Sequence, residues 1–338
     1  MLGNTKVVRL HGIEDVRIQS EPTPAPAAGE SLVRVTAVTL CGSDLHWFAE
    51  AGIGDVRLKN PLILGHEFAG VVESGELRGR RVAVDPAIPC GKCEFCLEGN
   101  PNFCTALRFA GDGVYDGALR EYVAWPTHCL FPLPDALSNA DGAMLEPLGV
   151  AIHAVDLGHV KPGMSAGVFG CGPIGLLTLQ EARAAGATRI IATDKLPQRL
   201  DAARELGAEV FEAADGQENA AIWAATGGRG VDVAFEAAGE NPAVETAVAT
   251  VKRGGQVILI GIPADDQTLF TASTARRKGL TIKVVRRMKN TYPRAIRLVE
   301  SGVVDVRSLV THRFPLAEVG QAFALACRRE GIKVAVEP

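Results

Sequence analysis

No block of one charge sign runs through this sequence. Lys and Arg number 35 against 39 Asp and Glu, a formal net charge of −4, and without a basic stripe or tail there is no electrostatic footprint for nucleic acid or an anionic membrane. The short run Arg276-Arg277-Lys278 reads as a solvated loop. Also missing is an uninterrupted apolar stretch long enough for a membrane helix, and Met1 to Arg9 lacks the basic start and apolar run of a secretory leader. The expectation is a cytoplasmic protein. In that reducing compartment the eight cysteines stay thiols, so a cluster of them points to metal rather than to disulfides. No internal repeat or low-complexity segment interrupts the chain.

What is present is ordinary globular composition, 47% hydrophobic and 22% charged, over 338 residues. That length exceeds what one hydrophobic core usually spans, so two domains are expected. As far as Val150 the apolar residues fall in short runs such as Leu32 to Leu40, Val71 to Glu73 and Arg81 to Asp85, broken by Gly and Pro, which predicts a β-rich half. The Pro- and Ala-rich stretch Glu21 to Gly29 reads as an extended connection. After Gly149 strands alternate with helical patterns. A strand ends at Val168-Phe169, a helix runs Pro173 to Ala185 with Gly186 beyond it, and a strand spans Arg189 to Thr193. Helix Pro197 to Leu206, strand Val231 to Glu236, helix Pro242 to Lys252 and strand Gln256 to Gly261 follow. That alternation predicts a doubly wound α/β nucleotide-binding domain. The tail carries helices near Pro293 to Glu300 and Leu316 to Arg328 and a last strand, Lys333 to Glu337; periodicity does not assign it to either domain.

Three constellations carry chemistry. Cys90, Cys93, Cys96 and Cys104 lie on one short polar loop. Four thiolates close a tetrahedral shell around zinc and leave no open position, so the site is expected to be structural, with an iron–sulfur cluster as the rival metal. Second, Cys41-Gly-Ser43-Asp44-Leu-His46 and Gly65-His66-Glu67 offer a thiolate, an imidazole and a carboxylate, a donor set that leaves one position for water or substrate. Third, Gly170-Cys-Gly172-Pro173-Ile174-Gly175 follows a strand and opens a helix, with Asp194 at the end of the next strand. The glycines let the backbone approach a pyrophosphate, and the acid accepts from a ribose 2′-hydroxyl and repels a 2′-phosphate, favouring NAD over NADP. Lys195 and Arg199 nearby soften that preference.

Taken in order, the Cys41 to His46 box, Gly65-His66-Glu67, the four-cysteine lobe, Glu146-Pro147, the glycine fingerprint and Val310-Thr-His-Arg-Phe-Pro315 make the chain resemble the zinc-containing medium-chain alcohol dehydrogenases over nearly its full length. The likeness is greatest to their polyol branch, the sorbitol and xylitol dehydrogenases. The resemblance implies an α/β protein with a GroES-like catalytic domain, residues 1–150 completed by 287–338, and a Rossmann NAD-binding domain, 151–286, with the active site in the cleft between them. It implies two zinc ions per chain. Cys41, His66 and Glu67 match the catalytic zinc ligands, and Glu146 stands where a second cysteine ligates in other alcohol dehydrogenases. In the polyol branch that glutamate can act through a water, so Glu67 and Glu146 compete for one place on the metal.

Oxidising an alcohol requires the hydroxyl proton to leave before hydride does, which zinc promotes as a Lewis acid. Ser43 and His46 match positions that pass that proton to solvent, and the nicotinamide held by Gly170, Gly172, Pro173, Ile174, Gly175, Asp194 and Arg199 takes the hydride. Arg287 in Arg287-Met-Lys-Asn-Thr-Tyr-Pro293 matches an arginine that binds substrate hydroxyls. Two departures stand out: Trp47 and Met288 replace tyrosines of the sorbitol enzymes, removing hydroxyls from the expected substrate pocket. A shorter polyol or a sugar acid is then as fitting as sorbitol. The alternatives are a threonine or simple-alcohol dehydrogenase of the same family and a non-catalytic cofactor-binding module. A homodimer or homotetramer is implied by the resemblance.

Overall fold

The computed structural model describes residues 3–338, which divide into two compact units, Met1–Glu146 with Tyr292–Pro338, and Pro147–Thr291. No helix among the described residues is long and apolar enough to cross a membrane.

The first unit is organised by a seven-stranded sheet. The strand Glu30–Thr39 pairs antiparallel with Glu67–Val72, with Lys333–Glu337 and with Tyr122–Pro126. Val33, Val35, Ala37 and Val38 of this strand are fully buried, as expected of a central strand covered on both faces. Outward from it lie Arg81–Val84 and Leu130–Pro132 on one side and Val310–Pro315 on the other. The core joins Leu10, Ile63, Leu64, Phe68 and Trp125 to Leu316 and Phe323 of the tail. Tyr292 fastens the tail further, its ring stacked on Phe131 at 4.7 Å and its hydroxyl donating to the Val84 carbonyl at 2.7 Å.

In the second unit six strands, all parallel, follow the order Glu209–Glu212, Arg189–Asp194, Ser165–Phe169, Val231–Glu236, Val251–Leu259, Thr281–Val284. That order reverses direction beside Ser165–Phe169, where doubly wound sheets bind nucleotides. The helices Pro173–Ala184, Pro197–Glu205 and Asn241–Thr250 each carry Pro in the first turn, where its missing N–H costs nothing. The expected helix Pro242 to Lys252 stops at Thr250, and the strand begins at Val251. Lys278 supplies the reason: its ammonium donates to the carbonyls of Val248, Ala249 and Val251, closing the helix end. The Arg276-Arg277-Lys278 run is accordingly no solvated loop. It forms the last turn of the helix Ala272–Lys278, where positive charge complements the helix dipole. The helix read as Leu316 to Arg328 opens with a 3₁₀ turn, Leu316–Glu318, and is α-helical over Val319–Cys327. The helix Leu145–Gly158, the strand Glu209–Glu212 and the helix Asn219–Ala225 were not legible in the sequence pattern.

Asp232 ties two central strands of this unit together. Its carboxylate accepts from the Ser165 N–H and hydroxyl at 2.9 and 2.8 Å, from Arg229 at 2.7 Å and from Lys252 at 2.7 Å. Burial pushes its pKa up, but the two cations and Ser165 outweigh burial and hold the carboxyl well below the usual carboxylate range. A depressed folded-state pKa stabilises at pH values above the unfolded-state value of about 3.9, and the contribution is lost as pH falls through that range. Asp232→Asn is therefore expected to destabilise by about 1–3 kcal/mol at neutral pH. Denaturant titrations of both chains check this: the gap should hold steady above about pH 5 and narrow on further acidification.

Candidate active site

The strand Glu30–Thr39 ends one residue before Leu40, and Cys41 then caps the helix Gly42–Glu50. The neighbouring strand Glu67–Val72 begins straight after Gly65 and His66. Gly65 takes φ +90, and a Cβ there would meet Val38 Cγ1 at 2.8 Å, so only glycine makes this turn. The turn delivers His66 beside Cys41. The thiol, the imidazole and the Glu67 carboxylate have donor atoms within 4.8 Å of one another. One soft and two harder donors at this separation fit a zinc ion with an open coordination position.

Asp44, in the first turn of that helix, holds the site from behind. Its fully buried carboxylate accepts from the Cys41 N–H at 2.9 Å and the Gly65 N–H at 3.1 Å, and one oxygen lies 3.6 Å from His66 Nδ1. Burial pushes the Asp44 carboxyl up, but His66 and the two backbone donors prevail and hold it below its ordinary range. Burial likewise disfavours the His66 imidazolium, yet Asp44 and Cys41 raise its pKa well above the ordinary value. With Nδ1 facing Asp44, Nε2 is the nitrogen left for a metal.

Glu67 is bound from two sides. The ammonium of Lys333 lies 2.8 Å from Oε1 and 2.6 Å from Oε2, and the Thr39 hydroxyl donates to Oε2. Burial alone would lower the Lys333 pKa; Glu67 and Cys41 raise it instead, so the ammonium stays charged. Glu146 is buried in the first turn of Leu145–Gly158 and stands outside the Cys41, His66, Glu67 cluster. Ser43 and His46, three residues apart on one helix, are partly exposed, and His46 Nδ1 lies 3.1 Å from Glu50. Trp47 is 2% exposed and belongs to the core of its unit, and a Cβ on Gly113 would strike its ring at 2.7 Å.

The sulfurs of Cys90, Cys93, Cys96 and Cys104 also lie within 4.8 Å of one another. A zinc tetrahedron with bonds of about 2.3 Å has edges of about 3.8 Å, so the cluster is of the right size. The Cys90 N–H donates to Cys104 Sγ at 3.2 Å and the Cys93 N–H to Cys90 Sγ at 3.4 Å. Backbone donors push the Cys90 thiol down and bring Cys93 to about 6, whereas burial and the neighbouring Cys93 push Cys96 up to about 12. Four thiolates so close need a cation to be anionic together.

In the second unit Gly170 takes φ +102, and a Cβ would meet the Ala238 N–H nitrogen at 2.7 Å. Gly172 caps the helix Pro173–Ala184, presenting its N-terminus with Pro173 and Ile174 to an anion. At Gly175 a Cβ would fall 1.8 Å from the Gly170 carbonyl oxygen. Asp194 accepts from the Cys171 N–H at 2.7 Å and the Leu196 N–H at 2.9 Å, welding the fingerprint to the next strand, and Arg199 Nη1 lies 3.9 Å away. Glu236 does similar work on the adjoining loop: it accepts from the Ala238 and Gly239 N–H groups at 2.7 Å each, and burial pushes its pKa up. Arg287 and Asn290 adopt left-handed φ of 54 and 50, a strained segment of the kind found at ligand contacts. Between them Met288 is buried, its Sδ accepting from Thr291 at 3.2 Å and packed where a Cβ on Gly149 would reach it.

Asp44, Thr39, Lys333 and Glu236 had no assigned role in the sequence reading. Asp44 sits inside a motif and could have been found by its spacing; Lys333 is 266 residues from Glu67 and carries no local signal.

Comparison with known proteins bears on both units. An alcohol dehydrogenase GroES-like domain profile matches residues 27–135, and a zinc-binding dehydrogenase profile matches residues 173–301. Sorbitol dehydrogenase of Bacillus subtilis (strain 168) is 36% identical over 344 residues, covering 99% of this chain and 98% of the relative. The chain belongs to the zinc-binding dehydrogenase family. Among solved structures, L-idonate 5-dehydrogenase of Escherichia coli K-12 superposes with a TM-score of 0.92 at 29% identity, over 100% of this chain and 99% of that one. A protein of Sinorhizobium meliloti 1021 described as a zinc-binding dehydrogenase, crystallised with NADP, superposes with a TM-score of 0.91 at 30% identity, over the whole of both chains. As a zinc-binding dehydrogenase the protein is an oxidoreductase of mixed α/β fold, and binding of zinc and of a nicotinamide cofactor goes with the family.

The crowding at Gly175 makes a direct test of the fingerprint. Overpacking of this kind costs about 1–3 kcal/mol and falls on the fingerprint turn. Gly175→Ala is expected to weaken nicotinamide cofactor binding about tenfold or more in a fluorescence titration, with metal content unchanged. Unaltered binding would place the cofactor elsewhere.

Proposed function

We propose that this protein oxidises a secondary hydroxyl of a small polyol or sugar acid to the ketone, passing hydride to NAD. The observation that carries the proposal is the meeting of Cys41, His66 and Glu67 with their donor atoms inside 4.8 Å, in a chain that also builds a nucleotide fingerprint. The names sorbitol dehydrogenase and L-idonate 5-dehydrogenase among its relatives support a polyol or sugar acid as substrate. We take Met1–Glu146 with Tyr292–Pro338 as the catalytic domain and Pro147–Thr291 as the NAD-binding domain.

In this reading Cys41 and His66 hold a catalytic zinc, with Glu67 or Glu146 as the carboxylate, and Cys90, Cys93, Cys96 and Cys104 hold a structural one. When bound, zinc supplies Lewis acidity to the substrate oxygen and the nicotinamide supplies the hydride acceptor. Asp44 fixes the ring orientation of His66 through Nδ1. Ser43 and His46 move the hydroxyl proton towards solvent along the exposed face of their helix. Gly170, Gly172, Pro173, Ile174 and Gly175 receive the pyrophosphate. Asp194, held by two backbone donors, keeps a carboxylate where a 2′-phosphate would sit, which favours NAD; Arg199 beside it tempers the preference. Arg287, held in its left-handed conformation, binds substrate hydroxyls, while Trp47 is packed into the core and takes no part.

A homodimer or homotetramer belongs to the same proposal: Thr281–Val284 is an edge strand with Val284 exposed, and Ile262, Leu269 and Phe270 are exposed in the same unit. So does a cytoplasmic location, with all eight cysteines unpaired.

Elemental analysis together with a panel of polyols, sugar acids, threonine and simple alcohols, each with NAD and NADP, tests the reading. Two zinc ions per chain are expected, one in Cys41→Ser, with activity abolished in that variant and faster oxidation with NAD than NADP in the wild type. No turnover of any polyol or sugar acid would refute the substrate class, and one zinc per wild-type chain would refute the two-site assignment.

A further inference from the structure

Lys195 is the first residue beyond the strand Arg189–Asp194, and its ammonium joins loops that leave three different strands. It lies 2.9 Å from Oε2 of Glu240, which follows the strand Val231–Glu236, and 4.0 Å from Asp215, which follows Glu209–Glu212. The strand Ser165–Phe169 runs between Arg189–Asp194 and Val231–Glu236. The Lys195 to Glu240 pair therefore links loops whose strands stand two spacings, about 9–10 Å, apart, and it crosses the end from which the glycine fingerprint leaves. The loop carrying Glu240 is fixed: Glu236 accepts from the Ala238 and Gly239 N–H groups, and a Cβ on Gly170 would strike Ala238. The two side chains are 52% and 34% exposed, and an ion pair so open to water adds little to stability. Its place is the crevice outside the carboxyl ends of the strands, where a sheet of this order binds a nucleotide.

Asp194, Asp215 and Glu240 bring three negative charges to this end of the sheet against two positive ones from Lys195 and Arg199, a net charge of −1. Of the two cations, Arg199 stands against the fingerprint, with Nη1 3.9 Å from Asp194 and 3.6 Å from where a Cβ on Gly172 would lie. Lys195 is the cation left to compensate Asp194 if a 2′-phosphate arrives, and Glu240 engages it. We propose that Glu240 is a positioning residue that sets cofactor preference by pairing with Lys195, so that Asp194 opposes a 2′-phosphate without compensation from that ammonium. The inference rests on the reading of Asp194 as acceptor for a ribose 2′-hydroxyl and deepens it. The sequence alone makes Lys195 a residue that softens the preference for NAD; its pairing with Glu240 removes that influence. A 2′-phosphate carries a charge of about −2 and meets a net negative group of side chains as long as Glu240 is ionised. The pyrophosphate is common to both cofactors, so Glu240 acts on the difference between them.

Binding of NADH and NADPH, followed by the fluorescence of the reduced cofactor, reads this without turnover. Glu240→Gln is expected to tighten NADPH binding about tenfold and to leave NADH binding within about twofold, because the released ammonium pairs with the 2′-phosphate. Adding Lys195→Met to Glu240→Gln should remove most of that gain. Lys195→Met alone should weaken NADPH binding by a smaller factor than it does in the Glu240→Gln chain, the sign of coupling between the two residues. Because the pair is exposed, each variant is expected to fold as the wild type does. Unaltered NADPH binding in Glu240→Gln overturns the proposal. So does equal tightening of both cofactors, which would make the pair an obstruction across the crevice, and so does a gain that survives Lys195→Met, which would reduce Glu240 to a repelling charge. A wild-type chain that binds NADPH more tightly than NADH overturns instead the reading of Asp194 on which the proposal rests.

Discussion

The pairing of the strand Glu30–Thr39 with Glu67–Val72 on one edge and Lys333–Glu337 on the other is the constraint on which the Cys41, His66 and Glu67 cluster of the first unit depends. Each partner comes from a different part of the chain, yet the ladder leaves no freedom in where their ends fall. The strand itself runs into Cys41, the second strand starts from His66 and Glu67, and the third contributes Lys333. A slip of one residue in either pairing would turn one of these side chains to the other face. Asp44 then ties the Cys41 and Gly65 backbones together, joining the turn that carries His66 to the start of the helix that Cys41 caps.

The second unit is governed by close approach. Gly170 and Gly175 sit where any side chain would collide with backbone, and the tightness of that turn leaves the helix N-terminus open to an anion. Carboxylates brace the turn and its neighbours. Asp194 accepts from the fingerprint itself, Glu236 from the loop across from it, and Asp232 pins the strands at their other ends. Buried acids here act as acceptors for backbone N–H groups that no ladder satisfies, which is why they lie among the buried Val, Ile, Ala and Phe side chains of the sheet.

Patterns of short range were readable. The strands Val231–Glu236 and Lys333–Glu337, and the starts of the helices at Pro173 and Pro197, follow from period, Pro and Gly alone. The helix ending at Thr250 instead of Lys252 was not readable, since its end is closed by Lys278 from another helix. The same holds for the helical Arg276-Arg277-Lys278 run, whose composition suggested a loop and whose lysine is taken up by three carbonyls. At Trp47 the family likeness pointed to a substrate contact, while the structure packs the indole into the core.

For the candidate site the division is similar. By itself the sequence determined the donor types and their spacing: the Cys41 box, Gly65-His66-Glu67, the four-cysteine loop, and the glycine fingerprint with Asp194, because each is a local pattern whose chemistry depends on neighbours in the chain. Only the tertiary structure decided which of these donors face one another and what restrains them. It brought Glu67 to Cys41 and His66, left Glu146 outside that cluster, and set Lys333 against Glu67. Those contacts arise from strand register across 266 residues of chain separation, and register is settled by the packing of the whole sheet, which no local pattern encodes.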